Sequence, residues 1–154
     1  MKVLIAIDDS PCSAEAIDNV ADQKWNVGTE FRVISVTEPL YSENVMVGMC
    51  VPSFEELQSE YHSQLVKLVD AKVEQIRQCQ PNHIVDGMVV SGAIAETILK
   101  HAEEWPADLI VLGSHGRRGI EKFWLGSVAE RVAGLAHCSV EVVRSKKSAA
   151  VVAK

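Results

Sequence analysis

Five short runs of β-branched and apolar residues recur along the chain: VLIAI at 3–7, FRVISV at 31–36, HIVDGMVV at 83–90, DLIVLG at 108–113 and VEVV at 140–143. They are apolar nearly throughout rather than at every second position, the pattern of strands covered on both faces. Helical spacing fills the intervals. Ser10, with Pro11 at the first helical position, opens one helix expected to run to about Lys24. Phe54, Leu57, Tyr61, Leu65, Leu68, Lys72 and Ile76 follow at steps of three and four. They predict an amphipathic helix of about 26 residues whose apolar stripe only the lysine breaks. Ile94, Ile98, Ala102 and Trp105 mark a third helix, and Val128, Val132 and Leu135 a fourth. Strands alternating with helices need right-handed crossovers, so the expected fold is α/β: one open parallel sheet of five strands with helices on both faces.

A chain of 154 residues suits one domain, expected over residues 1–145, with residues 146–154 as a frayed tail that lacks periodicity. The net charge of −6 argues against nucleic acid or an anionic membrane surface as the main partner. No run approaches the roughly 18 apolar residues of a membrane span. MKVLIAIDDS turns acidic too early for a signal peptide, so a cytoplasmic location is expected. Cysteines at 12, 50, 79 and 138 form no C-x-x-C pair and are expected to be reduced and mostly buried. His62, His83, His101 and His137 show no metal-ligand spacing. The segment 38–52 is longer and more apolar than a connector needs. It would fold over a ligand, over a partner or onto its own domain.

The stretch GSHGRRGIEKFWLGS, residues 113–127, holds four of the nine glycines and three basic side chains. A phosphate cradle, a plain turn, a nucleic-acid contact and a docking loop would each explain it. Its spacing is Gly113, two residues, Gly116, nine residues, then Gly126 and Ser127. Gly113 ends a predicted strand and Ser127 begins a predicted helix. In open parallel sheets ligands bind beyond the strands' carboxyl ends, and a helix start offers free amides and the positive end of a dipole. Phosphate fits that arrangement. Structure alone could also account for it: Ser127 with Glu130 three residues later reads as a capping box, and the first two glycines could serve a sharp turn. Neither a Walker lysine nor G-x-G-x-x-G is present, which argues against a P-loop NTPase or an ordinary NAD enzyme. His115 reads as a loop residue with a backbone role, since no serine or cysteine partner that would make it a general base is evident.

With IAIDDS ending the first strand, DLIVLGSHGRRG at the fourth, LGSVAERV opening the last helix and HCSVEVVR closing the domain, the chain resembles the universal stress protein family in its nucleotide-binding branch. The resemblance implies a Rossmann-like sheet of order 3-2-1-4-5. The branch motif G-x2-G-x9-G-[ST] is matched by Gly113, Gly116, Gly126 and Ser127. It further implies ATP, or AMP or ADP, as ligand, with Asp8 acting near the phosphates and a Mg²⁺ ion. Ile7 would offer backbone contacts to the base, Val36 would line the adenine, and Arg117 would neutralise phosphate charge. Val128 would join Ser127 at the helix start. A homodimer is implied too, formed by antiparallel pairing of the fifth strands.

Three positions depart from the family pattern. Asp9 stands for the usual glycine and is expected to add a second negative charge beside the phosphates. Ser35 stands where a histidine is common, and Glu141 interrupts the fifth strand, where like charges would oppose across a two-fold axis. The expected function is a stress-response regulator in which nucleotide occupancy sets a dimer or partner surface. A slow ATP hydrolase or phosphoryl-transfer enzyme in the same pocket, and a structural dimer without nucleotide, are the alternatives.

Overall fold

The computed structural model describes residues 1–38, 54–116 and 125–145. The expectations for the segment 38–52 beyond Glu38, for Cys50, for Arg117 and for the tail from Lys146 lie outside the described residues. In chain order the elements are β1 (Lys2–Ala6), α1 (Pro11–Asp22), β2 (Glu30–Thr37), α2 (Phe54–Cys79), β3 (Ile84–Ser91), α3 (Ile94–Glu104), β4 (Leu109–Gly113), α4 (Ser127–Leu135) and β5 (Ser139–Val143). All four strand pairings are parallel and the order is β3-β2-β1-β4-β5. The chain winds outward from β1 to one edge, then returns to start β4 on the other side. This reversal leaves a crevice between the carboxyl ends of β1 and β4.

Alternation along each strand divides the core into two layers. Val3, Ile5, Phe31, Val33, Val85 and Val111 pack with Ala16, Ile17 and Val20 of α1 and Val69, Val73 and Ile76 of α2. Leu4, Ala6, Ile34, Ile110 and Leu112 pack on the other face with Ile98 and Ala102 of α3 and Val132 of α4. Burial on both faces is why these strands lack the every-second-residue polarity of a solvated sheet.

The buried seam of α2 differs from the stripe in the sequence. It runs through Leu65, Val69, Val73 and Ile76, while Leu68 and Lys72 sit at its margin. Gly87 on β3 explains the rotation, because a Cβ there would lie 2.5 Å from Val69 Cγ1 and 2.7 Å from Val73 Cγ2. The missing side chain lets two valines of α2 settle directly onto the strand. α1 begins as expected: Ser10 is its N-cap, Ser13 N donates to Ser10 Oγ at 3.2 Å and Pro11 occupies the first turn. It ends at Asp22, two residues short of Lys24.

At the amino ends of the strands, Arg32 forms a two-pronged pair with Asp86, its register partner on β3, at 2.8 and 2.7 Å. The guanidinium carbon also lies 4.5 Å from the centre of the Trp105 ring. The hydrogen bond that Arg32 donates to Asp86 raises the Arg32 pKa above its ordinary value, against a smaller opposing effect of burial. Of the three cysteines described, only Cys12 is buried; Cys138 is intermediate and Cys79 exposed, so the expectation of mostly buried thiols is not met. Cys79 is the last residue of α2, at its exposed end. Among the described residues no helix is long and apolar enough to cross a membrane.

Candidate functional site

A cleft of about 590 Å³ opens at the crevice between β1 and β4. Ile7 and Asp8 enter it from the end of β1, Ser35 and Val36 from β2, Gly113 and Gly116 from the end of β4, and Gly126, Ser127 and Val128 from the start of α4. Every site residue expected from the sequence, apart from Arg117, which lies outside the described residues, therefore lines one cleft.

The fourth helix begins differently from its expected form. Gly126, in extended conformation at φ −72° and ψ 156°, is the N-cap, and no side chain caps the helix. Ser127 is the first helical residue, so the capping box with Glu130 does not form. The reason is a backbone tie: Gly126 N donates to Ser114 O at 2.8 Å, which fixes Gly126 as the last extended residue. Ser127 is exposed at the cleft with no capping duty. The opening amides of α4 lack intrahelical acceptors by geometry and face the same cleft, an arrangement suited to an anion.

The three motif glycines each make a close approach within the protein, and at Gly113 that approach is to backbone and leaves no room for a side chain. A Cβ on Gly113 would meet Cys12 Cβ at 2.8 Å, Cys12 C at 2.9 Å and Ser13 N at 3.0 Å, so this glycine seats β4 against the first turn of α1. On Gly126 it would meet Ser114 O at 3.2 Å, and on Gly116 it would meet Asp8 Oδ2 at 2.8 Å. Together they draw β1, α1, β4 and α4 around one point.

Several neighbours of the motif escaped the sequence reading. Ser10 Oγ donates to His115 O at 3.2 Å, which gives His115 the backbone role expected of it. Its ring is also engaged: Ser114 Oγ lies 3.1 Å from His115 Nδ1 and 3.6 Å from Cys12 Sγ. Ser114, adjacent in sequence, is thus a side-chain partner of the His115 ring, and Cys12 meets that serine rather than the ring. Tyr61 of α2 also lines the cleft. Asp9, expected to add charge there, is exposed and is not among the lining residues.

Among the described residues no group of three or more His, Cys, Asp or Glu side chains is placed to hold a metal ion. Asp8 beside the glycine loop fits a different habit, that of Mg²⁺, which commonly takes one or two carboxylates and completes its shell with phosphate oxygens and water.

The universal stress protein family model matches residues 1–144. The chain belongs to the universal stress protein family. It is 34% identical over 146 residues to universal stress protein MJ0531 of Methanocaldococcus jannaschii, covering 95% of this chain and 83% of that one. To universal stress protein YxiE of Bacillus subtilis it is 30% identical over 147 residues, covering 93% and 98%. The solved structure of MJ0577 superposes with a TM-score of 0.71 at 28% identity, covering 94% of this chain and 96% of the other. The sheet order of this universal stress protein is the one that the resemblance implied.

Proposed function

We propose that this universal stress protein is a regulator that binds an adenine nucleotide in the cleft between β1 and β4, with residues 1–145 forming the binding domain. The observation that carries this reading is the convergence of Gly113, Gly116, Gly126 and Ser127 on one cleft at the start of an uncapped helix. A universal stress protein of the same fold is described in complex with cAMP, and one from Arabidopsis thaliana with AMP bound. In this reading ATP, or AMP or ADP, places its base between Val36 and the Ile7 backbone. The Ile7 amide already donates to Ile34 O at 2.9 Å, so the Ile7 carbonyl is the group that would meet the base. The phosphates lie against Gly116, Gly126, Ser127 and Val128, with Arg117 as a neutralising cation and Mg²⁺ beside Asp8.

Occupancy then sets a homodimer or partner surface in the cytoplasm during stress. The fifth strand, at the sheet edge beside β4, is the dimer surface we favour. Its Glu141 does not stand in the way, because Asn19 Nδ2 donates to Glu141 Oε1 and ties that charge to α1. The competing reading, slow ATP hydrolysis in the same cleft, draws on His115, which lines the cleft with its ring held by Ser114.

Purified protein, denatured and assayed for released nucleotide, tests the proposal. Thermal melts add a second measure: a ligand at 100 times its dissociation constant stabilises the native state by about 2.7 kcal/mol. An unmoved midpoint at millimolar ATP with Mg²⁺ and a flat calorimetric titration would overturn it. Turnover above about 1 s⁻¹ would favour the enzyme reading instead.

A further inference from the structure

One carboxylate at the α1 side of the cleft is held with unusual completeness. Asp8 Oδ1 accepts from Ser13 Oγ at 2.6 Å and from Ser10 N at 3.1 Å. The same Ser13 hydroxyl accepts from the Asp8 amide at 3.0 Å. Ser13 thus donates to the side chain and accepts from the backbone of one residue. It is only 5% exposed, and its own amide is bound to the α1 cap at Ser10 Oγ. With Oδ1 engaged twice, the plane of the carboxylate is set and Oδ2 faces the glycine loop, 2.8 Å from where a Gly116 Cβ would stand.

We propose that Ser13 is a positioning residue that fixes Asp8 Oδ2 at the glycine loop and so makes nucleotide affinity depend on a divalent cation. This rests on the nucleotide reading above. The physics is a matter of freedom to move. A carboxylate able to rotate would swing away from a bare triphosphate, relieving repulsion, and would lose its aim at a bridging cation. A carboxylate pinned by Ser13 does neither, so it opposes ATP without metal and favours ATP with Mg²⁺.

The measurement is the ratio of two ATP dissociation constants by calorimetry, one in EDTA and one in excess Mg²⁺. Loss of general packing weakens both and leaves the ratio alone, whereas loss of aim changes the ratio itself. Ser13→Ala is expected to lower the ratio about tenfold, equivalent to about 1.4 kcal/mol of coupling between metal and nucleotide. Ser13→Cys, close in volume and a weak donor, should do the same and serves if the alanine variant does not fold. Asp8→Asn should bring the ratio near one, and adding Ser13→Ala to it should change nothing more. A large wild-type ratio that survives in both Ser13 variants overturns the positioning role alone. A wild-type ratio near one overturns the metal coupling while nucleotide binding stands, and a wild type that binds ATP in neither condition takes down both readings.

Discussion

Replacing Gly113 by alanine tests what the first motif glycine does. The added Cβ would meet Cys12 Cβ at 2.8 Å, Cys12 C at 2.9 Å and Ser13 N at 3.0 Å, and two of these atoms are backbone in the first turn of α1. No rotamer change relieves the contact, so the start of α1 must move away from β4. That turn is anchored by Ser10 Oγ to His115 O, by Ser13 to Asp8 and by the buried Ala16 and Ile17 that follow. Overpacking of this kind costs about 1–3 kcal/mol. In a chain of this size each kcal/mol moves the melting midpoint by about 2–4 °C, so a loss of about 2 kcal/mol lowers Tm by about 4–8 °C. The assay is a melt of nucleotide-free protein, by circular dichroism, beside Gly116→Ala as a comparison. At Gly116 the new Cβ meets only the end of the Asp8 side chain, so Tm should hold within the small range of surface substitutions while ATP affinity falls. A Gly113→Ala protein that melts with wild type would refute the argument that this glycine serves helix-to-strand packing.

Arg32→Ala should cost about 1 kcal/mol, since its partner Asp86 is half exposed and the Trp105 contact adds only modestly. Because Asp86 raises the Arg32 pKa, the contribution is present at all pH below the ordinary guanidinium value, and urea melts at pH 6 and pH 8 should show the same loss. Burial first, and Asp108 second, raise the Cys138 thiol above its ordinary 9.0. Stability from that group is present below this value and is lost as pH rises towards the folded one, so alkaline melts of Cys138→Ala should be flatter than those of wild type. Iodoacetamide should label the exposed Cys79 before Cys138, as mass spectrometry of the timed reaction would show. Asn19→Ala frees Glu141 at the β5 edge and should weaken the dimer in sedimentation across a dilution series, while Asn19→Ala with Glu141→Leu restores it. A wild-type monomer at every concentration would sink the dimer.

The fold was legible because each strand carries its burial on both faces, and no other reading of VLIAI or DLIVLG as half-solvated strands competes with it. Helix faces were less legible. The stripe through Leu68 and Lys72 fits helical spacing about as well as the true seam through Val69 and Val73. What decides between them is Gly87, a residue on another element and distant in sequence, whose missing side chain receives both valines. Spacing within α2 carries no trace of that.

The candidate site divides along the same line. Gly113, Gly116, Gly126 and Ser127 stand out as a motif, yet their spacing is silent about which glycine faces a ligand and which faces the protein. Gly113 is turned towards α1, and the cap at α4 belongs to Gly126 because Ser114 O holds its amide. Serines were the larger omission. Ser10 reads as a helix-start residue and does cap α1, while Ser13 is not singled out by the sequence, yet this pair ties the carboxylate of Asp8 and the carbonyl of His115. A hydroxyl near a helix start has local work enough to satisfy a reader of sequence, so its second bond, to a loop more than 100 residues away, goes unsuspected. Ser10 at the cap of α1 thus reaches the glycine loop through His115 O, and Asn19 on the same helix reaches Glu141 on β5, two long-range ties that spacing within α1 does not announce.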